Sequence, residues 1–196
     1  LVGNRSFAVQ TRHAYEEGAM TRHDFEYHQA PLYYLLCAPL VAVAGENAGV
    51  YLCRLLSFAF GLFSLLLLYR VLSRIGPTRF HAAAGTFFCG FLLTHIYFTS
   101  VCSNDSMSWF MSLLLITLGL QYMRFWDEPA QTVAPRFWGL LALCLGAGVL
   151  TKSSLVIFFP VFTALFIIGY LRTKNAAHAI GGGVSCALAV LIAAPW

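Results

Sequence analysis

Residues 50–72 read VYLCRLLSFAFGLFSLLLLYRVL, and the 15 positions from Leu55 to Tyr69 carry no charged side chain. A helix that crosses the hydrocarbon core of a bilayer needs about 20 predominantly apolar residues. The stretch is long enough for one crossing. It therefore predicts a transmembrane helix rather than a core helix of a soluble domain.

The composition of the whole chain agrees with this stretch. The 196 residues are 59% hydrophobic, 15% aromatic and only 10% charged, and the mean hydropathy is +0.73. Soluble domains carry about 25% charged residues, so this chain is too poor in charge to cover a water-facing surface. That excludes an ordinary soluble enzyme, a disordered region and a nucleic-acid-binding interpretation of the net charge of +4. We predict an all-α, polytopic membrane helix bundle.

The apolar stretches give the expected number of spans. Residues 31–44 are too short to cross the bilayer easily, and the polar break Gly45-Glu46-Asn47 follows them. This pattern predicts an interfacial or re-entrant helix. Six longer stretches predict transmembrane helices: residues 50–72, 82–102, 106–126, 137–150, 155–171 and 179–194.

Two regions follow from this division. We expect an extracytoplasmic loop with interfacial helices over residues 1–48 and a transmembrane helical bundle over residues 49–196. The chain begins at Leu1 without an initiator Met and stops at Trp196, just after an apolar run. We therefore expect it to be a fragment of a larger catalytic transmembrane module.

Basic residues indicate the orientation of the bundle. One set of loops, apart from the amino-terminal stretch, holds only Lys152, with Arg54 just inside the first span, whereas the other set holds seven cations. Because short cytoplasmic loops carry an excess of Lys and Arg, residues 1–48, 103–106 and 151–154 should face outward. The membrane would be the plasma membrane in a bacterium or the endoplasmic reticulum in a eukaryote. Seven cations mark the cytoplasmic side: Arg70, Arg74, Arg79, Arg124, Arg136, Arg172 and Lys174.

Acidic residues concentrate on the predicted outer face. Asp105 lies in Ser103-Asn104-Asp105-Ser106, which joins two spans with almost no loop. Ser, Asn and Asp all cap helix starts, so capping alone explains this turn. A carboxylate at the bilayer edge also needs a partner, a metal or water access, and both interpretations stay open. Six of the eight acidic residues are outward: Glu16, Glu17, Asp24, Glu26, Glu46 and Asp105.

Two cations lie near the same face. Lys152 belongs to a tight turn, where it either extends to lipid head groups or binds a phosphate with neighbouring hydroxyl groups. Arg54 lies about one turn inside its span. Pairing with Glu46 or with a bound anion would offset the cost of its charge.

The start of the short helix is the third candidate region. Pro31 suits the first turn of a helix, and Tyr33 and Tyr34 are residues that prefer the membrane interface. Interfacial anchoring does not explain why Glu26 and His28 lie beside this helix start. A solvated loop between two spans is the alternative for these charges.

Together these groups suit a substrate with an anionic head and a hydrocarbon tail. A phosphate leaving group needs cations or a metal, and an acceptor hydroxyl or amine needs a carboxylate base. The sequence leaves a divalent metal open and shows no metal-ligand spacing. Our candidates are Asp105, Glu26 and Glu17 for catalysis and Lys152, His28, Arg54, Tyr33 and Asn104 for substrate binding, with none for a metal.

Two other classes of function compete with this one. A multispan transporter or channel should place ionisable groups midway along its spans and show internal repeats. We find no clear repeat, and we interpret the mid-span His95 as a core histidine bonded to a neighbouring helix. A non-catalytic membrane protein of the same fold is the other alternative. Each of the six cysteines is predicted to be a small buried hydrophobe.

Four short stretches carry a family resemblance: residues 27–36 (YHQAPLYYLL), 54–57 (RLLS), 103–106 (SNDS) and 150–154 (LTKSS). In this order the chain resembles the C-type, polyprenyl-phosphate-sugar-dependent glycosyltransferases. The likeness is to the branch that contains protein O-mannosyltransferases and bacterial lipid A aminoarabinose transferases.

The resemblance implies an inverting membrane glycosyltransferase that takes a sugar from a polyprenyl-phosphate donor on the outer face. The acceptor would be a lipid, a protein or a glycan. The resemblance also implies that Asp105 matches the acidic residue of the family's second outer loop and that Lys152 matches a basic residue near the donor phosphate. His28 stands where relatives have His or Lys before the Pro-Leu-Tyr-Tyr sequence.

The chain departs from the family pattern in its first outer loop. The family's base is an Asp, often followed by Glu, soon after the first span. Here the acidic pair is Glu16-Glu17, which lies close to the Pro-Leu-Tyr-Tyr sequence. We therefore expect the catalytic Asp to precede Leu1, in which case this chain alone is inactive.

Overall fold

The fold is all-helical in a computed structural model that describes residues 30–76, 78–126 and 133–194, except for the side chain of Glu46. Within those ranges the chain forms helices and short connections, with no strand. The helices are α1 (Leu32–Gly45), α2 (Asn47–Ile75), α3 (Arg79–Gly90), α4 (Leu93–Ser100), α5 (Asn104–Arg124), α6 (Pro135–Thr151), α7 (Phe158–Thr173, preceded by the 3₁₀ helix Ser153–Ile157) and α8 (Ala176–Ala193).

The predicted all-α membrane bundle is confirmed, with fewer full-length spans than expected. Four stretches are long and apolar enough to cross a bilayer: α2, α5, the 3₁₀ helix with α7, and α8. The pair α3 and α4 makes a fifth if it counts as one span. The remaining predicted span, over residues 137–150, corresponds to α6. Its 17 residues give roughly 26 Å of helix, somewhat less than the roughly 30 Å of a typical hydrocarbon core. The protein is an integral, multi-pass membrane protein.

The stretch predicted as one continuous span over residues 82–102 is broken. α3 ends at Gly90 and α4 starts at Leu93, with a bend of 61° between them. Leu92 is extended (φ −62°, ψ 129°), and α4 is held beside α5 by His95, whose ring lies 5.2 Å from that of Trp109. His95 is thus a core histidine, as predicted, and it contacts the neighbouring helix through a tilted ring pair.

The short helix before the first span forms as predicted. Pro31 caps α1, and its carbonyl accepts the first helical bond from the backbone N–H of Leu35 at 2.9 Å. α1 ends at Gly45, whose φ of 77° lies in the left-handed region that favours glycine. The chain turns there into α2. Whether α1 lies in the membrane interface stays a prediction.

Contacts between helix ends divide those ends into two sets. At the first set, called here the Asp105 end, the start of α2 meets the turn after α4, because the Cys102 thiol donates to the Val50 carbonyl at 3.5 Å. The start of α5 meets the end of α6 there through Asp105 and Lys152.

The opposite set, called here the arginine end, joins α5, α7 and α8. The Tyr122 hydroxyl lies 2.8 Å from Nδ1 of His178, and the Arg172 guanidinium lies 5.4 Å from the centre of the Trp126 ring. This arrangement agrees with the predicted separation of the cations from the outer-face residues.

The core lies along α5, α6 and α8. Leu115, Leu141 and Ala189 are completely buried there. The fraction of residues buried inside the bundle is twice as high in α5 as in each of the other three full-length spans. Large apolar side chains such as Phe80, Leu93 and Leu191 point outward and are mostly exposed, as a lipid-facing surface requires.

Candidate active site at the Asp105 end

The turn before α5 fixes the position of Asp105. Ser103 caps the helix: its hydroxyl oxygen accepts from the backbone N–H of Asp105 at 3.1 Å, and the same hydroxyl donates to Asp105 Oδ2 at 2.8 Å. The Ser106 hydroxyl donates to the Ser103 carbonyl at 3.0 Å. The carboxylate lies in the first turn of α5, where the helix dipole stabilises negative charge. The expected cap and an oriented carboxylate therefore coexist.

The end of α6 fixes the position of Lys152. The backbone N–H of Lys152 donates to the Gly148 carbonyl at 2.9 Å, closing the last turn of the helix. Its own backbone is extended (φ −155°, ψ 127°). Thr151 is fully buried, and its hydroxyl donates to Ala147 of the same helix at 2.8 Å. Thr151 therefore does not offer its hydroxyl to a ligand.

The two turns are joined by two contacts between residues 47 positions apart. The Lys152 ammonium forms an ion pair with Asp105 Oδ1. The Asn104 side-chain amide, which is buried, donates to the Thr151 carbonyl at 3.2 Å. The sequence placed Asp105 and Lys152 on one face, and the structure brings them into contact.

The ion pair is only partly covered by protein. The side chain of Lys152 is 41% exposed and that of Asp105 21% exposed. An ammonium group has three donors, and Asp105 occupies one of them. An anionic ligand can therefore reach Lys152 without first displacing other groups of the bundle.

The stretch that contains this pair matches a known family. The family model described as "Dolichyl-phosphate-mannose-protein mannosyltransferase" matches residues 40–177. This chain belongs to that family. The match confirms the resemblance to glycosyltransferases that use a polyprenyl-phosphate sugar, and it includes Arg54, Asn104, Asp105 and Lys152. No curated protein and no solved structure gives a significant match.

Membership gives the general chemistry. The family consists of membrane glycosyltransferases whose donor is a dolichyl-phosphate sugar. Reactive groups for such a substrate should lie where a lipid phosphate can reach them. The Asp105–Lys152 pair, at one end of the bundle and partly exposed, satisfies this requirement.

Arg54 lies at the same end but apart from the pair. Its side chain is exposed, and its guanidinium lies 5.9 Å from the centre of the Tyr51 ring. In the described part of the chain no ion pair joins it to Asp105. Its predicted pairing with Glu46 involves a side chain outside the described residues. Phosphate binding by Arg54 stays a prediction.

Tyr33 makes contacts within the bundle. It is 1% exposed, and its hydroxyl lies 2.6 Å from Ser57 Oγ and 3.3 Å from the Cys53 carbonyl, to which it donates. These contacts attach α1 to α2. Its predicted role in substrate binding is not tested by them.

The remaining candidates are outside the described residues: Glu17, Glu26 and His28. Among the residues that are described, no group of three His, Cys, Asp or Glu side chains is arranged to hold a metal ion.

The role of Ser103 in orienting the Asp105 carboxylate was not predicted from the sequence. The signal for it is a serine two positions before an acidic residue at a helix start.

Proposed function

We propose that this protein transfers mannose from dolichyl-phosphate mannose to a protein acceptor on the extracytoplasmic face. The observation that supports the proposal is the Asp105–Lys152 ion pair inside the family-matched stretch. The pair lies at the end opposite the arginine end, and an excess of cations is typical of the cytoplasmic side.

In this proposal Lys152 binds the donor phosphate. Breaking the bond between the sugar C1 and the phosphate oxygen leaves an electron pair on that oxygen. A cation held beside it stabilises this developing charge. Asp105 is oriented by Ser103, and its carboxylate fixes the position of the Lys152 ammonium group before the donor binds.

Donor binding also removes the ion-pair partner of Asp105. When Lys152 turns to the phosphate, Asp105 Oδ1 loses its partner and can accept a proton. The acceptor hydroxyl then attacks C1 from the side opposite the phosphate, and its proton passes to a carboxylate. This geometry inverts the configuration at C1. Glu17 and Glu26 are further candidates for the base.

An apolar groove offers space for the lipid tail. It has a volume of about 360 Å³ and lies between α2 and the bent α3–α4 pair, with Phe58, Leu62, Leu65 and Ile96 in its lining. Its lining reaches Ser100 at the last turn of α4, five residues before Asp105. The occupant that the family match supports is the isoprenoid chain of the donor.

The test uses membranes that contain the full-length protein, labelled dolichyl-phosphate mannose and a Ser/Thr-rich peptide. We expect transfer to the peptide, reduced about 100-fold or more by Asp105→Asn and by Lys152→Met. The matched control is Lys174→Met, which removes a cation at the arginine end and should leave transfer within about twofold. Insertion is checked by abundance in washed membranes.

The kinetic constants separate the two roles. Lys152→Met should raise KM for the donor and also lower kcat, with Lys152→Arg recovering part of both, whereas Asp105→Asn should act mainly on kcat. Transfer at the wild-type rate in both variants would remove the pair from the site. Consumption of other labelled polyprenyl-phosphate sugars, but not of the mannose donor, would contradict the proposed sugar.

A further inference from the structure

Three thiols gather at the Asp105 end. Cys37 lies on α1, Cys53 on α2 and Cys102 in the turn before α5. The Cys53 thiol donates to the Cys37 carbonyl at 3.9 Å. The Cys102 thiol donates to the carbonyl of Val50, three residues before Cys53 on the same helix. Residues far apart in sequence thus bring three sulfur atoms to one small region.

The three thiols differ in access. Cys37 and Cys53 are buried, whereas Cys102 is exposed. The prediction that every cysteine is a buried hydrophobe is therefore wrong for Cys102, because the turn before α5 lies at the surface of the bundle, and Cys89 and Cys186 are only partly buried. Of these three thiols, that of Cys102 is the most accessible to a water-soluble reagent.

The surroundings of Cys102 include both a second thiol and a cation. Burial raises the pKa of the Cys102 thiol, the neighbouring Cys53 raises it further, and the Arg54 guanidinium lowers it. The net effect is a raised pKa. Because the thiolate is the reactive form in thiol–disulfide exchange, oxidation of Cys102 should become faster as the pH rises. Cys53 lies close enough to act as the resolving thiol.

We propose that Cys53 and Cys102 form a reversible disulfide bond at the Asp105 end. The oxidant is a small disulfide such as glutathione disulfide. The Cys102 thiolate attacks it, forming a mixed disulfide and releasing one glutathione. The Cys53 thiolate then attacks the Cys102 sulfur and releases the second. Two protein thiols and one glutathione disulfide thus give one protein disulfide and two glutathione thiols.

The bond would act on the candidate active site. Cys102 directly precedes Ser103, which caps α5 and orients Asp105. A link to Cys53 would fasten this turn to α2. The location agrees with the orientation proposed above, because disulfides persist on the oxidising, extracytoplasmic side.

The experiment counts thiols in the full chain. Membranes that contain the protein are treated with glutathione disulfide, or with a reductant, then denatured and alkylated with a mass-tagged maleimide. We expect oxidised wild-type protein to lose two of its six alkylatable thiols and reductant to restore them. Mass spectrometry of the digest should show a peptide that joins Cys53 to Cys102.

Variants identify the pair. Cys102→Ser and Cys53→Ser should each abolish the two-thiol loss, whereas Cys89→Ser on α3 should keep it. A two-thiol loss that survives in Cys102→Ser would show that a different pair of cysteines forms the bond and would overturn the proposal. So would six free thiols in oxidised wild-type protein, even if a serine variant failed to fold. The readout does not depend on sugar transfer, so either proposal can fail alone.

Discussion

Tyr33 shows how one buried hydroxyl attaches the short helix α1 to the first span. Its hydroxyl lies 2.6 Å from Ser57 Oγ, and both side chains are almost completely buried. In Tyr33→Phe the ring still fills its space, but Ser57 loses its partner. We expect unfolding in mild detergent to become easier by about 1 kcal/mol, with unchanged KM for the sugar donor.

A double-mutant cycle separates packing from substrate binding. Ser57→Ala should destabilise by less than Tyr33→Phe, because Tyr33 also donates to the Cys53 carbonyl. The double variant should cost little more than Tyr33→Phe, since both changes remove the same Tyr33–Ser57 hydrogen bond. Strictly additive effects would show that the bond contributes nothing. A large rise in donor KM in Tyr33→Phe, without such a rise in Ser57→Ala, would favour the substrate-binding interpretation.

Contacts between residues close together in the sequence could be predicted from it, whereas contacts between distant residues could not. The cap before α5 was predictable, because Ser103 and Asp105 are two positions apart and their bonds are local. The contact between Asp105 and Lys152 was not, because it depends on how α5 and α6 pack. The distribution of charges in the loops predicted only that Asp105 and Lys152 lie on the same side of the membrane. Phosphate chemistry was inferred from residue types and from the family resemblance.

At the scale of helices, α8 approaches two neighbours at consecutive glycines. A Cβ atom on Gly181 would lie 2.4 Å from Trp138 of α6, and one on Gly182 would lie 2.3 Å from Phe166 of α7. Gly183 faces open space. Membrane helices that pack this closely need small residues at the contact.

The three glycines give a matched series of variants. Gly181→Ala and Gly182→Ala should each destabilise the bundle by about 1–3 kcal/mol, because aromatic rings in the core must shift. Gly183→Ala adds the same methyl group to the same helix and should be neutral or slightly stabilising. The measurement is thermal unfolding of the purified protein in detergent. Equal effects at all three positions would contradict the packing described here.

Helix boundaries were predictable where a polar or conformational signal marks them. Pro31 and Gly45 correctly marked the ends of α1, and the polar turn over residues 103–106 predicted the start of α5 to within two residues. The break between α3 and α4 had no such signal, because apolar residues continue through Phe91 and Leu92. Hydropathy reports burial in lipid and does not report a bend that tertiary contacts impose.

At the scale of the whole molecule, the two sets of helix ends differ in charge. Arg70 and Arg74 near the end of α2, Arg124 at the end of α5 and Arg172 near the end of α7 all lie at the arginine end. At the Asp105 end, Lys152 is neutralised by a carboxylate. This asymmetry predicts the orientation of the protein, because short loops rich in Lys and Arg are retained in the cytoplasm. The proposed transfer reaction requires that orientation.

Cys102 reports the orientation directly, because it is the exposed cysteine at the Asp105 end. We expect a membrane-impermeant maleimide to modify it, after mild reduction, in vesicles that expose the extracytoplasmic face. Cys102→Ser should remove this signal. A second cysteine introduced by Lys174→Cys, at an exposed position of the arginine end, should react only in inverted vesicles. The opposite pattern would place Asp105 and Lys152 in the cytoplasm, where no extracytoplasmic transfer can use them, while the helix packing described above would stand unchanged.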